Sequence, residues 1–135
     1  MCGYFPFIKT KKQDKMDNTL CRIRDLYRAI AEFESSFSKT YGISLNEGML
    51  LCTLLDKGQQ TSSEIADALG LSHSNASKVI RSVEEKDLIT RQVGKEDKRQ
   101  MNFILTAAGR ELITRIKNTT YQLPELLAKA IRQTE

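Results

Sequence analysis

The sequence predicts a mainly α fold with one small β-hairpin, and three observations carry that prediction. Glycine and proline number only 7 and 2 among 135 residues, so little interrupts helix formation. Most apolar residues recur at three-and-four spacing, the period of one helix face. Only residues 88–105 change period, with Met101, Phe103 and Leu105 alternating after a polar, glycine-bearing turn.

The length suits one domain. Apolar residues at 40% and charged residues at 28% give a globular balance, which disfavours disorder, collagen and disulfide scaffolds. No apolar run nears the roughly 18 residues that span a bilayer, so no membrane partner is expected. The opening MCGYFPFIKTKKQDK lacks a basic region followed by an apolar stretch and is not expected to be a secretory signal. Cys2, Cys21 and Cys52 show no Cys-x-x-Cys spacing, so neither a disulfide framework nor a zinc site is expected, and a reducing cytoplasm fits. Both Cys21 and Cys52 are expected to be packed among apolar neighbours. With His73 as the single histidine, no metal or other cofactor is expected. Nor is an enzyme: there is no phosphate-binding glycine loop or nucleophile elbow. In Ser72-His73-Ser74, consecutive helix residues do not face one another.

Along the chain, residues 1–16 mix Phe5, Pro6, Phe7 and Ile8 with four lysines and are expected to form an N-terminal arm. From Asp17, the positions Leu20, Ile23, Tyr27, Ile30 and Phe37 make a narrow apolar seam interrupted by Glu34, which calls for a partner helix. Ser44-Leu45-Asn46-Glu47 and Thr61-Ser62-Ser63-Glu64 both fit the capping box, in which a hydroxyl and a glutamate satisfy the first helical amides reciprocally. The first should open a helix over 45–56 with Met49, Leu50, Leu54 and Leu55 inward, ended by a left-handed Gly58. The second should open 62–69, burying Ile65, Ala66 and Leu69 and stopping at Gly70. Ser72 caps the next helix, which runs to about Lys86, and two short helices joined by a tight glycine turn make a helix-turn-helix. The hairpin, with Gly94 to Arg99 at its tip, follows directly and is a wing. Thr106 caps a helix carrying Leu112, Ile113 and Ile116, and Pro124 opens a last one with Leu126, Leu127, Ala130 and Ile131.

The net charge is +4, but residues 61–106 hold 7 cations and 7 anions, so a surface for a polyanion there must come from spatial sorting. Projection at about 100° per residue puts Ala76, Val79, Ile80 and Val83 on one stripe of the helix from Ser72. Ser74, Lys78 and Arg81 fall opposite, flanked by Asn75 and Ser77. Those side chains suit phosphates and base edges, with Arg81 fitted to guanine and Lys78 to phosphate. The wing's Lys95, Lys98 and Arg99 extend the set, and Asp97 either supports a cation that enters the minor groove or pairs structurally with Arg99. Glu64, Asp67 and Glu84 have cap or solvent roles open to them.

From Leu45 to Gly109 the chain resembles the MarR family of winged helix-turn-helix transcription regulators. The stretches TSSEIADALGLSHSNASKVIRSVEEKDLITRQ and DKRQMNFILTAAG carry that resemblance. It implies a cytoplasmic, homodimeric DNA-binding regulator, a repressor relieved by a small-molecule effector. Residues 17–40 and 107–135 would be the N- and C-terminal dimerisation helices and 45–106 the DNA-binding lobe. Ser72, His73, Ser74, Asn75, Ser77, Lys78 and Arg81 would face the major groove of a double-stranded operator, and the wing would face the minor groove. Tyr27, Phe33 and Tyr41 would line a crevice for an aromatic or phenolic effector. The alternative is a winged-helix interaction module that presents the same face to a protein or RNA; a large exposed apolar patch there would favour it.

Overall fold

The computed structural model describes residues 16–133, so residues 1–15 of the expected N-terminal arm, Cys2 among them, lie outside the described residues, whereas Met16 begins the first helix. Within them are six helices and a three-stranded antiparallel sheet: α1 Met16–Tyr41, α2 Leu45–Lys57, β1 Gln60–Thr61, α3 Ser62–Leu69, α4 His73–Glu85, β2 Ile89–Val93, β3 Met101–Leu105, α5 Ala107–Lys117 and α6 Glu125–Gln133. The described residues form two compact units, 16–43 with 120–133 and 44–119. No helix among them is long and apolar enough to cross a membrane.

The larger unit starts from its caps. Ser44 accepts from the Glu47 amide at 3.1 Å while Glu47 accepts from the Ser44 amide at 2.7 Å, and Thr61 with Glu64 repeats the exchange at 3.2 and 2.9 Å. Both boxes therefore form as the spacing predicts, because their partners are only three residues apart. Gly70 ends α3 in the left-handed region. Gly58 ends α2 with φ 78° and ψ −151°, a glycine conformation other than the left-handed one expected. The buried face of α2 also differs: Leu50, Leu51 and Leu54 are buried, whereas Met49 is exposed. The reason is that α2 packs on α3, α4, α5 and β3, and a helix covered from several sides buries adjacent positions.

Strand order is β1-β3-β2, with Gln60 opposite Phe103 and Ile89 opposite Leu105. The two-residue strand β1 is absent from the sequence prediction, being too short for any periodicity to mark. Between α4 and β2 the chain turns at Asp87, whose φ of 59° is tolerable for a short polar side chain. The Leu88 amide then bonds back to the Val83 carbonyl at 3.2 Å. Thr106 locks the far side by donating its hydroxyl to the Asp87 carbonyl at 2.8 Å and accepting from the Gly109 amide at 3.0 Å. Here α5 meets the backbone so closely that a Cβ on Gly109 would lie 2.0 Å from the Leu88 carbonyl oxygen. Ile113 and Ile116 of α5 are buried, and α5 packs on α2, so α5 is part of the larger unit, 44–119.

In the smaller unit α1 packs with α6. Phe33, Phe37, Tyr41 and Tyr121 form a ring cluster with centroid separations of 5.1 to 6.4 Å, two of the contacts edge-on. The seam of α1 is satisfied at its Phe37 end and open at the other: Leu20 and Tyr27 are 65% and 71% exposed, and Ile23 and Ile30 also face outward.

Candidate nucleic-acid interface

Helix α4 owes its orientation to its apolar stripe, with Ala76, Ile80 and Val83 buried. Ser72, His73, Ser74, Asn75, Ser77, Lys78 and Arg81 are all exposed. Ser72 caps the helix by accepting from the Asn75 amide at 3.1 Å, and no acidic residue lies in the first turn. The positive end of the helix dipole is thus left for an outside anion.

The predicted charge sorting has specific partners. Glu64 is held in its capping box, and Glu84 accepts from Arg91 at 2.7 and 2.9 Å. Lys86 turns away to Glu47, with its Nζ 2.8 Å from both carboxylate oxygens. Among the described residues, Lys78, Arg81, Lys95 and Lys98 join no ion pair. Within residues 61–106, the cations left over are therefore those of the α4 face and the wing tip.

At the tip, Asp97 Oδ1 accepts from the Arg99 amide at 3.0 Å and from Arg99 Nε at 3.3 Å. Arg99 thus pairs with Asp97 while its side chain stays 93% exposed. The loop closes through Gln100 N to Asp97 O at 3.0 Å and Gly94 N to Gln100 O at 2.8 Å. Gly94 is required because a Cβ there would lie 2.7 Å from the Asp97 carbonyl oxygen.

Between α4 and the wing lies a cleft of about 220 Å³ lined by Ser62, Ser77, Ile80, Arg81, Arg91, Met101 and Phe103. Arg91 is a member the sequence reading missed. Its guanidinium lies 5.5 Å from the Phe103 ring centroid, and the two residues are direct cross-strand partners. The signal was present only as a basic residue on a β-prone run, which a solvated strand also shows.

Glu47 was read only as a capping residue. It is 4% exposed and also accepts from Ser82 Oγ at 2.6 Å, so one carboxylate ties the start of α2 to the end of α4. Burial pushes its carboxyl up, yet the bonds from Lys86, Ser82 and the Ser44 amide outweigh that and hold it below its ordinary value.

Phe33 and Tyr41 come together in the ring cluster, whereas Tyr27 lies on the exposed seam. Burial and then the Tyr41 hydroxyl, 3.5 Å away, push the Tyr121 phenol up, so it stays neutral. Cys21 is exposed, against expectation, because no element among the described residues covers its helix face. Cys52 is half-buried, and burial followed by neighbouring Asp56 pushes its thiol up. Among the described residues no group of three or more His, Cys, Asp or Glu could hold a metal ion.

The MarR family profile matches residues 43–101. The fold is that of Staphylococcus aureus MepR in its DNA complex, at 24% identity, TM-score 0.59, and coverage of 83% of this chain and 86% of that one. It is likewise similar to BpsR of Bordetella bronchiseptica, whose DNA binding is regulated by 6-hydroxynicotinic acid: 20% identity, TM-score 0.67, coverage 93% and 82%. The transcriptional regulator BldR from Sulfolobus solfataricus matches at 20% identity and TM-score 0.66, with coverage of 90% and 85%. Across its helix-turn-helix and wing, the chain is thus similar to the MarR family.

Proposed function

We propose that the chain is a sequence-specific, double-stranded DNA-binding transcription regulator, acting in the cytoplasm as a homodimer and not as an enzyme. The observation that carries this reading is the outer face of α4. It gathers Ser74, Asn75, Ser77, Lys78 and Arg81 with no carboxylate among them, and the cations of the wing tip continue it. Affinity would come chiefly from phosphate neutralisation and discrimination from side chains on base edges. None of the large exposed apolar residues lies on α4, which disfavours a protein-binding use of this face.

Dimerisation is supported by the open seam of Leu20, Ile23, Tyr27 and Ile30 on α1, together with exposed Leu126 and Ile131 on α6. A second copy would cover both. The regulator is a repressor in this reading, relieved by an aromatic or phenolic effector held near Phe33, Tyr41 and Tyr121.

The test is a gel shift of the purified protein on DNA flanking its own coding region at low and high salt, with Lys78→Ala and Arg81→Ala alongside. Lys78→Ala should weaken all sequences about equally and reduce the salt slope by about one, while Arg81→Ala should cost about 1–3 kcal/mol on the preferred sequence alone. Equal binding of flanking and random DNA by the unaltered protein would refute sequence-specific regulation.

A further inference from the structure

The cleft between α4 and the wing contains two guanidinium groups of different status. Arg81 joins no ion pair with a described residue, whereas Arg91 donates both Nε and a terminal nitrogen to Glu84. Arg91 is nevertheless 55% exposed at its side chain, against 21% for Glu84. A polyanion on this face could reach the cation, yet the neighbouring carboxylate already occupies it.

The pair also joins two elements. Glu84 lies in the last turn of α4 and Arg91 in the middle of β2, where Phe103 supports the guanidinium from beneath. A two-pronged bond of this kind fixes direction as well as distance, so it sets the wing strand against the recognition helix.

We propose that Glu84 is a specificity-determining residue of the interface, withholding Arg91 from phosphates and using it to hold the wing at a set angle to α4. The inference rests on the DNA-binding reading above. A freed Arg91 would add a phosphate contact available to every sequence, because backbone contacts carry no sequence information. Losing the strut would burden only the specific complex, in which helix and wing must reach their grooves together. Both effects lower discrimination.

The experiment compares the full chain with Glu84→Gln, Arg91→Met and the double variant. Binding is followed by fluorescence anisotropy on a random-sequence duplex and on a duplex selected by the unaltered protein from a random pool, at 50 and 200 mM salt. Glu84→Gln should bind random DNA more tightly, with a slope steeper by about 0.9, so that its advantage shrinks roughly 3.5-fold between the two salts. It should lose several-fold in the ratio of selected to random affinity, and Arg91→Met in the same chain should abolish the gain on random DNA. Later elution of Glu84→Gln from immobilised heparin gives the same readout without any DNA sequence. Glu84→Ser serves as the second variant should the glutamine protein melt early.

Random-DNA affinity and slope unchanged by both Glu84 substitutions would overturn the proposal. So would a slope reduced by about 0.9 in Arg91→Met alone, since Arg91 would then already contact phosphate. If the unaltered protein binds neither duplex nor heparin at 50 mM salt, the DNA-binding reading itself falls, an outcome distinct from a failure of Glu84 to matter.

Discussion

Replacing Glu47 with alanine should destabilise the larger unit by about 2–4 kcal/mol, as hydrogen bonds to a charged group contribute roughly 1.5–3 kcal/mol each. The carboxylate accepts from the Ser44 amide at 2.7 Å, Ser82 Oγ at 2.6 Å and Lys86 Nζ at 2.8 Å, all of which the substitution abolishes. The sum is discounted because the Lys86 side chain is 39% exposed, so its ammonium recovers water on losing its partner. Burying the carboxylate also opposes its bonds in the native protein. For a chain of this length, about 3 kcal/mol corresponds to a fall in Tm on the order of 10 °C. Urea denaturation at pH 7 gives the free energy directly. A pH series adds an independent check, since the folded-state pKa of Glu47 lies below its ordinary 4.5. A depressed carboxyl contributes stability that is fully present above the unfolded value and is lost as pH falls through the folded one. The unaltered protein should therefore lose stability below pH 4.5 more steeply than Glu47→Gln, which has no such group to protonate. A cost under about 0.5 kcal/mol for Glu47→Ala, the level of ordinary surface substitutions, with an unchanged acid profile, would refute the reasoning.

Gly109→Ala should cost about 3 kcal/mol, the upper end of overpacking, because its Cβ would meet the Leu88 carbonyl oxygen at 2.0 Å. Gly70→Ala, in open space but at φ +66°, should cost only about 1–2 kcal/mol; equal urea midpoints for the two variants would contradict the close approach of α5. Ile23→Glu combined with Ile30→Glu should dissociate or unfold a dimer built on the α1 seam, and sedimentation that still finds a dimer would move the interface elsewhere. Cys52 should react with iodoacetamide at pH 7 far more slowly in the folded protein than in urea, since its raised thiol pKa leaves little thiolate. Equal rates by mass spectrometry would contradict its half-buried setting.

What the sequence determined by itself was local. The capping boxes, the Ser72 and Thr106 caps and the turn at Gly70 join residues at most five apart, so spacing alone specifies them. The outer face of α4 was equally legible, because helix geometry sorts Ala76, Ile80 and Val83 from Lys78 and Arg81 without reference to the rest of the chain. Tertiary structure decided what depends on distant partners. Glu47 meets Ser82 and Lys86 across 35 and 39 positions, and β1 exists only because β3 lies beside it. Leu51 is buried and Met49 exposed on account of which elements surround α2, and α5 joins the larger unit through its contacts with α2. Arg91 and Glu84 are seven residues apart, yet a helix end, a turn and a strand separate them, and no periodicity spans such a change of backbone. Side-chain pairing across that change is set by the three-dimensional path of the backbone, and for that reason the neutralised cation in the cleft could not be read from the order of the residues.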